Sequence, residues 1–197
     1  AGCGLGQHDN TNALLEQLLL STTPLELPVV LDADALNTLA RIPEWWRRLQ
    51  PPTIVTPHPG EMSRLLGISI GDVEGDRVGT AMQAAATWGV TVLLKGAYTV
   101  VASPEGYVRT IPFANPGLAT AGTGDVLAGV IASLVSQHLS SFDAASLGAF
   151  LHGAAGEMVT NDIGNTGMVA SDLLPMLPRA IKAIREGCFD GGFNEIA

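Results

Sequence analysis

Short buried strands alternating with helices predict an α/β chain, with a mostly parallel central sheet covered by helices on both faces. Three observations carry this reading. Apolar runs at 28–32, 53–56 and 91–94 are of strand length and bounded by Pro or Gly. Segments with helical spacing separate them, as in a sheet built from crossover units. Polar clusters fall just after those runs: Asp32 and Asp34, His58 and Glu61, and Lys95. Sheets of this kind collect ligands at the carboxyl ends of their strands.

Each element follows in order. Residues 10–20 read as a helix, 28–32 as a buried strand and 35–40 as a short helix. The strand at 53–56 lies between prolines, and the helix at 61–66 is closed by Gly67. A longer helix is expected over 72–88, closed by Gly89 as a C-cap glycine. The strand at 91–94 ends in Lys95-Gly96, and 99–102 with 107–111 alternate around Pro104-Glu105-Gly106 as a hairpin. A Gly/Ala/Thr-rich loop at 114–121 leads to helices at 124–137, 143–159 and 171–185. From 187 a Gly-rich tail is expected to be mobile. Neither repeats nor a long linker divide the chain, so 1–197 reads as one domain. The opening Gly2-Cys3-Gly4-Leu5-Gly6 is a turn with no strand before it, which suggests that the sequence begins inside a fold.

Composition excludes some partners. The net charge is −9 with only 10 Lys and Arg, so no basic stripe for nucleic acid is present and an anionic membrane surface would repel the chain. Nucleotides stay open, because N–H groups at a helix N-terminus hold phosphate without net positive charge. The apolar run at 126–135 is too short to span a bilayer. Two cysteines near opposite ends, Cys3 and Cys188, form no disulfide framework or CxxC pattern. A reducing cytoplasm is the expected setting.

The strongest segment is Asn115-Pro116-Gly117-Leu118-Ala119-Thr120-Ala121-Gly122-Thr123-Gly124-Asp125-Val126-Leu127-Ala128-Gly129. Gly122, Thr123 and Gly124 open a helix with no Cβ at two positions. Free N–H groups there can approach an anion, and the helix dipole favours one. Asp125 in the first turn would repel phosphate unless it is needed to take a proton from an attacking hydroxyl. Anion hole plus general base suits phosphoryl transfer to an alcohol. A helix N-cap with glycines for close packing is the plainer reading. Thr56-Pro57-His58-Pro59-Gly60-Glu61 fixes an imidazole between prolines at a strand end. Lys95-Gly96-Ala97-Tyr98-Thr99 offers a point charge beside a glycine, or simply a tight strand–strand turn. Asp32 and Asp34 could order water or magnesium, and could equally cap the next helix. His152-Gly153-Ala154-Ala155-Gly156 reads as helix packing, and His8 and His138 as solvated.

Together these blocks resemble the ADP- or ATP-dependent NAD(P)H-hydrate dehydratases of the ribokinase-like superfamily. Gly122-Thr123-Gly124-Asp125 resembles the superfamily's anion-hole and base motif. The wider stretch matches the dehydratase form, with Leu118 for Met and Ala121 for Gly. The Pro-His-Pro-Gly-Glu run, Leu31-Asp32-Ala33-Asp34-Ala35-Leu36-Asn37 and the Gly2–Gly6 turn, with Cys3 for the usual proline, fit the same family and its order. The family normally has further elements before that turn, so a shortened N-terminus is expected.

The resemblance implies nucleotide-dependent dehydration of the (S)-hydrate of NADH or NADPH, by phosphorylation of its hydroxyl and loss of phosphate. It implies Asp125 as base, with Gly122, Thr123 and Gly124 as the anion hole. Gly6, His58, Asn115 and Asp125 would meet the hydrate. Lys95, Gly96, Ala97, Tyr98, Thr99 and Gly124 would meet ADP or ATP. Mg²⁺ is expected near Glu61, through water, and Asp32. Homo-oligomers and an NAD(P)H-hydrate epimerase as functional partner are also expected. Two other functions remain: a hydroxyethylthiazole- or hydroxymethylpyrimidine-type kinase, and a nucleotide-binding protein without catalysis.

Overall fold

The computed structural model describes residues 1–21, 27–49 and 52–188. Five strands form one sheet in chain order: β1 (Val29–Leu31), β2 (Thr53–Val55), β3 (Thr91–Leu94), β4 (Val100–Ala102) and β5 (Val108–Thr110). The β1–β2 and β2–β3 pairs are parallel, while β4 is antiparallel to both of its neighbours. Thus β1, β2, β3 and β5 run one way and β4 runs against them. The hairpin expected around Pro104-Glu105-Gly106 is present as β4–β5.

Alternation along the strands sorts the core into two layers. Leu31, Val55, Val92, Leu94, Val100 and Ala102 face α1 (Asp9–Leu20), α2 (Asp34–Leu39) and α5 (Arg77–Trp88). Val30, Ile54, Leu93 and Val101 face α6 (Thr123–Ser136), α7 (Ser141–Ile163) and α8 (Ala170–Arg185). The sheet therefore carries helices on both faces, as predicted. The tail expected to be mobile lies, from 189 on, outside the described residues. No described helix is long and apolar enough to cross a membrane.

Two differences from the expected elements matter for the site. The helix expected over 61–66 begins earlier, as α3 (Pro59–Leu66). His58 is its N-cap, its imidazole accepting from the Gly60 and Glu61 N–H groups while the Glu61 carboxylate accepts from His58 N–H. The single helix expected over 72–88 is two. Ser69 and Asp72 form a capping box that starts α4 (Ile70–Gly75), and Asp76 leaves helical geometry (φ −145°, ψ 77°) and caps α5 through Gly79 N–H. Two local caps outcompete one continuous helix through Gly75 and Gly79. The break puts Arg77 at the start of α5, where its guanidinium donates to the carbonyls of Leu94 and Lys95 at 3.2 Å each.

Candidate functional site

The ends of β1, β2 and β3 meet at one edge, tied by Thr56 N–H to Leu31 O and Lys95 N–H to Pro57 O. This brings three charges from distant parts of the chain together. Lys95 Nζ donates to Asp32 Oδ1 at 2.7 Å and lies 3.8 Å from Glu61 Oε2. Both carboxylates are buried. Neither Asp32 nor Asp34 caps α2: Asp32 accepts from Ala33 N–H and Lys95, and Asp34 accepts from Gly6 N–H and the Gln7 amide. Buried charges persist only when paired in this way.

The first turn of α6 approaches the same cluster. A Cβ on Gly124 would lie 3.5 Å from Lys95 Nζ and 3.7 Å from Asp32 Oδ2. Gly122 is the N-cap at φ +88°, a conformation glycine adopts without penalty. It has no side chain with which to cap. Among the described residues, the N–H groups of Gly122 and Gly124 have no protein acceptor. Those of Thr123 and Asp125 bond Thr120 O and Gly122 O. The buried Thr123 hydroxyl lies 2.6 Å from Leu118 O and 2.8 Å from Thr120 O, which ties the preceding loop to the helix. Two free donors at the positive end of a 14-residue helix form a site with the chemistry to hold an anion.

On one side of this turn lies a cavity of about 580 Å³. Its wall includes His58, Lys95, Gly96, Ala97, Thr99, Asn115, Thr123 and Gly124, together with apolar Ile111, Phe113, Leu118 and Leu127. A mostly apolar slot with a few fixed polar groups suits a heteroaromatic ring and its phosphates. Asn115 caps the 3-10 turn Pro116–Ala119 through Gly117 N–H and donates to Thr160 Oγ1, so its amide is held by the fold. Of the predicted loop 95–99, Tyr98 does not line the cavity. It is 51% exposed at φ +53°, and its N–H donates to Phe113 O.

Asp125 faces the other side. It is exposed. Burial, then hydrogen bonding toward the Asp125 carboxylate, then the Asp32 and Asp125 charges push the Cys3 thiol up to about 11. Gly2 rests on Asp32: its φ is +125° and any Cβ would collide with the Asp32 carbonyl oxygen. Gly6 is on the same shelf, its N–H bound to Asp34 Oδ2 at 2.7 Å. The predicted residues thus fall into two groups. Asp32, His58, Glu61, Lys95 and Gly124 gather at the cavity end, while Gly6 and Asp125 lie along the open side.

Burial holds the His58 imidazole below its ordinary range, with Lys95 and Arg64 adding to the effect and Glu61 opposing it. His58 Nδ1 accepts two N–H bonds, so the ring proton sits on Nε2, 3.5 Å from Glu61 Oε1.

Sequence reasoning missed two residues. Arg77 braces the Lys95 loop from α5, and only the Asp76-x-x-Gly79 cap pointed to it. His152, read as helix packing, lines the cavity and lies 2.9 Å from Thr123 O. A histidine within the small apolar run Leu151-His152-Gly153-Ala154-Ala155 was its signal. His8 and His138 are exposed, as expected.

Magnesium was expected near Glu61 and Asp32. Among the described residues, no three His, Cys, Asp or Glu side chains gather as a metal cage. Two carboxylates beside a free-donor anion site fit an ion that arrives with phosphate oxygens and keeps its waters, which is magnesium's habit.

The family model described as NAD(P)H-hydrate dehydratase matches residues 1–179. A bifunctional NAD(P)H-hydrate repair enzyme of Moorella thermoacetica is 45% identical over 185 residues, covering 94% of this chain and 34% of that protein. A crystallised ADP/ATP-dependent NAD(P)H-hydrate dehydratase from Bacillus subtilis superposes with a TM-score of 0.81 at 33% identity, covering 92% of this chain and 64% of that one. A ribokinase-like superfamily protein of Enterococcus faecalis, 24% identical with a TM-score of 0.77, shares the fold. The chain thus spans about a third of the length of the Moorella relative and under two thirds of the Bacillus one.

Proposed function

The chain belongs to the NAD(P)H-hydrate dehydratase family, and from that premise we propose that it dehydrates the (S)-hydrate of NADH or NADPH at the expense of an adenine nucleotide. The observation that carries the proposal is the pair of unpartnered N–H groups at Gly122 and Gly124, beside Lys95 and a cavity of nucleotide size.

The residues divide the work as follows. The base and ribose of ADP or ATP enter the cavity along Gly96, Ala97 and Thr99, with Tyr98 closing the loop by its backbone. Lys95 turns from Asp32 toward the phosphates, and the N–H groups of Gly122 and Gly124 receive the transferring phosphoryl. The hydrate lies against Gly6 and Asp125 on the open side and reaches to His58 and Asn115 at the cavity rim. Asp125 takes the proton from the hydrate hydroxyl as its oxygen bonds phosphorus and the nucleotide's terminal P–O bond breaks. The carbon–oxygen bond then breaks, phosphate departs with the bonding electrons, the neighbouring ring carbon loses a proton to solvent, and the ring double bond of the reduced nicotinamide re-forms. Asp32 and Glu61 would hold Mg²⁺ through water, and the ion when bound would neutralise phosphate charge. The reaction is a carbon–oxygen lyase reaction overall.

Several finer readings belong to the same proposal. ADP or ATP is the phosphoryl donor. An NAD(P)H-hydrate epimerase as functional partner is in keeping with the Moorella relative being named a bifunctional repair enzyme. Homo-oligomers are supported by the exposed Leu14 and Leu18 on α1, and a reducing, cytoplasmic setting by the unpaired Cys3 and Cys188.

The test is to mix the chain with (S)-NADPH hydrate, Mg²⁺ and ADP or ATP, and to follow reduced-nicotinamide absorbance. Recovery of absorbance in step with phosphate release is expected. A phosphorylated product that persists would favour a small-molecule kinase. Nucleotide binding without turnover would favour a binding protein.

A further inference from the structure

His152 is buried in α7 and has no part in the steps proposed above. Its Nε2 lies 2.9 Å from the Thr123 carbonyl oxygen. A carbonyl can only accept, so Nε2 carries the proton and donates it. The ring is neutral: burial, followed by the Lys95 charge, pushes it down to about 4 against the Thr123 bond. Its place is fixed by the packing around it. A Cβ on Gly148 would clash with the Ile131 side chain of α6, and one on Gly153 would clash with the Phe113 ring. The helix carrying His152 is therefore packed closely against α6 and the Phe113 ring.

The Thr123 carbonyl belongs to the same peptide group as the Gly124 N–H, one of the two free donors. A hydrogen bond received at the oxygen of an amide polarises it and strengthens the donor at its nitrogen. It also fixes the peptide plane, and so the direction of the N–H.

We infer that His152 is a positioning residue for phosphoryl transfer: its Nε2–H aims and polarises the Thr123–Gly124 peptide, so that the Gly124 N–H is set for the transferring group. This rests on the anion-hole reading of Gly122 and Gly124. His152 acts through the peptide and need not touch the phosphate. It also explains a histidine in a run of small residues, where packing alone would accept an apolar side chain.

The test compares His152→Phe, which keeps a ring but has no donor, with His152→Gln, whose amide N–H can reach where Nε2 sits. Removing a direct donor from an oxyanion site costs roughly 10²–10³ in kcat, and a group acting through one peptide is expected to cost on the order of tenfold. The expected result is that loss in kcat for His152→Phe, with KM for ADP little changed and most of the rate restored in His152→Gln. Wild-type kcat in a folded His152→Phe, or equal loss in both variants, overturns the inference. Should His152→Phe fail to fold, nitrogen NMR of the wild-type chain decides. An Nε2–H tautomer, with a Gly124 amide proton shift largely kept in His152→Gln, is expected. An Nδ1–H tautomer overturns the inference. Gly124→Val separates the two levels of the argument. If it turns over normally, the anion-hole reading falls; if it is dead while His152→Phe is unimpaired, only the role of His152 falls.

Discussion

The first turn of α6 has two unlike sides. Toward the cavity it meets a wall of apolar side chains and the buried Asp32–Lys95–Glu61 cluster. Away from it, Asp125 is exposed beside the Gly2–Gly6 turn, which leaves Leu5 43% exposed. One helix end thus carries a closed, preorganised side and an open, acidic side. The difference suggests a division of labour. A dry wall strengthens fixed charges and holds a nucleotide that is common to every turnover. An open shelf leaves Asp125 accessible to the substrate that changes with each turnover.

The sharpest way to separate the two sides is Asp125→Asn. It keeps the shape and removes proton acceptance, so turnover should fall by ~10²–10⁴ while ADP affinity stays unchanged in calorimetry. A variant with near-normal turnover would remove the base from the open side. On the closed side, Lys95→Met leaves two buried carboxylates without their cation. Stability in a denaturant melt should drop by about 3 kcal/mol, and ADP should bind more weakly. An unchanged melt would mean that the cluster is better hydrated than its burial indicates.

The closed side also sets a pH dependence. An unfolded histidine takes up a proton near its ordinary 6.5, and His152 in the fold does so only at about 4. The unfolded state therefore binds more protons between those values. The contribution is intact above pH 6.5 and is lost as pH falls toward 4, amounting to about 3 kcal/mol. Urea melts at pH 7 and pH 4 should show this loss, and His152→Gln, which does not titrate, should remove that part of it. On the open side the expected effect is smaller in consequence and easy to read. With its thiol raised to about 11, Cys3 should alkylate roughly 100-fold more slowly at pH 8 than an ordinary thiol. The exposed Cys188 serves as the internal comparison in peptide mass mapping. Equal rates would mean that neither the burial of Cys3 nor its place beside Asp125 persists in solution.

Much of this was legible in the sequence, for local reasons. Strand runs bounded by Pro and Gly fixed β1, β2 and β3, and the rule that ligands gather at strand ends brought Asp32, Glu61 and Lys95 to one edge before any distance was known. The block 122–125 announced a helix N-terminus with a carboxylate in its first turn. What stayed hidden depended on long-range geometry. Lys95 pairs with Asp32 across 63 positions, which no motif encodes. The split at Asp76 rests on two local caps, at Ser69 and Asp76, that lie within an otherwise continuous helical pattern. His152 was assigned to packing because its partner, the Thr123 carbonyl, lies on another helix. The sheet was expected to be mostly parallel, and only the hairpin residues around Gly106 hinted that β4 would run backward.

The central claim is that the free donors at the start of α6 receive nucleotide phosphate. Calorimetric titration of ADP with Mg²⁺ into the wild-type chain and into Gly124→Val tests it most directly. Valine keeps the N–H but sets a branched side chain beside Lys95, where phosphate would approach. A hydrogen bond to a charged group contributes about 1.5–3 kcal/mol, so with that approach lost the account predicts binding to the wild type and an affinity weaker by roughly 10–100-fold in the variant. Equal affinity in two folded proteins would contradict it.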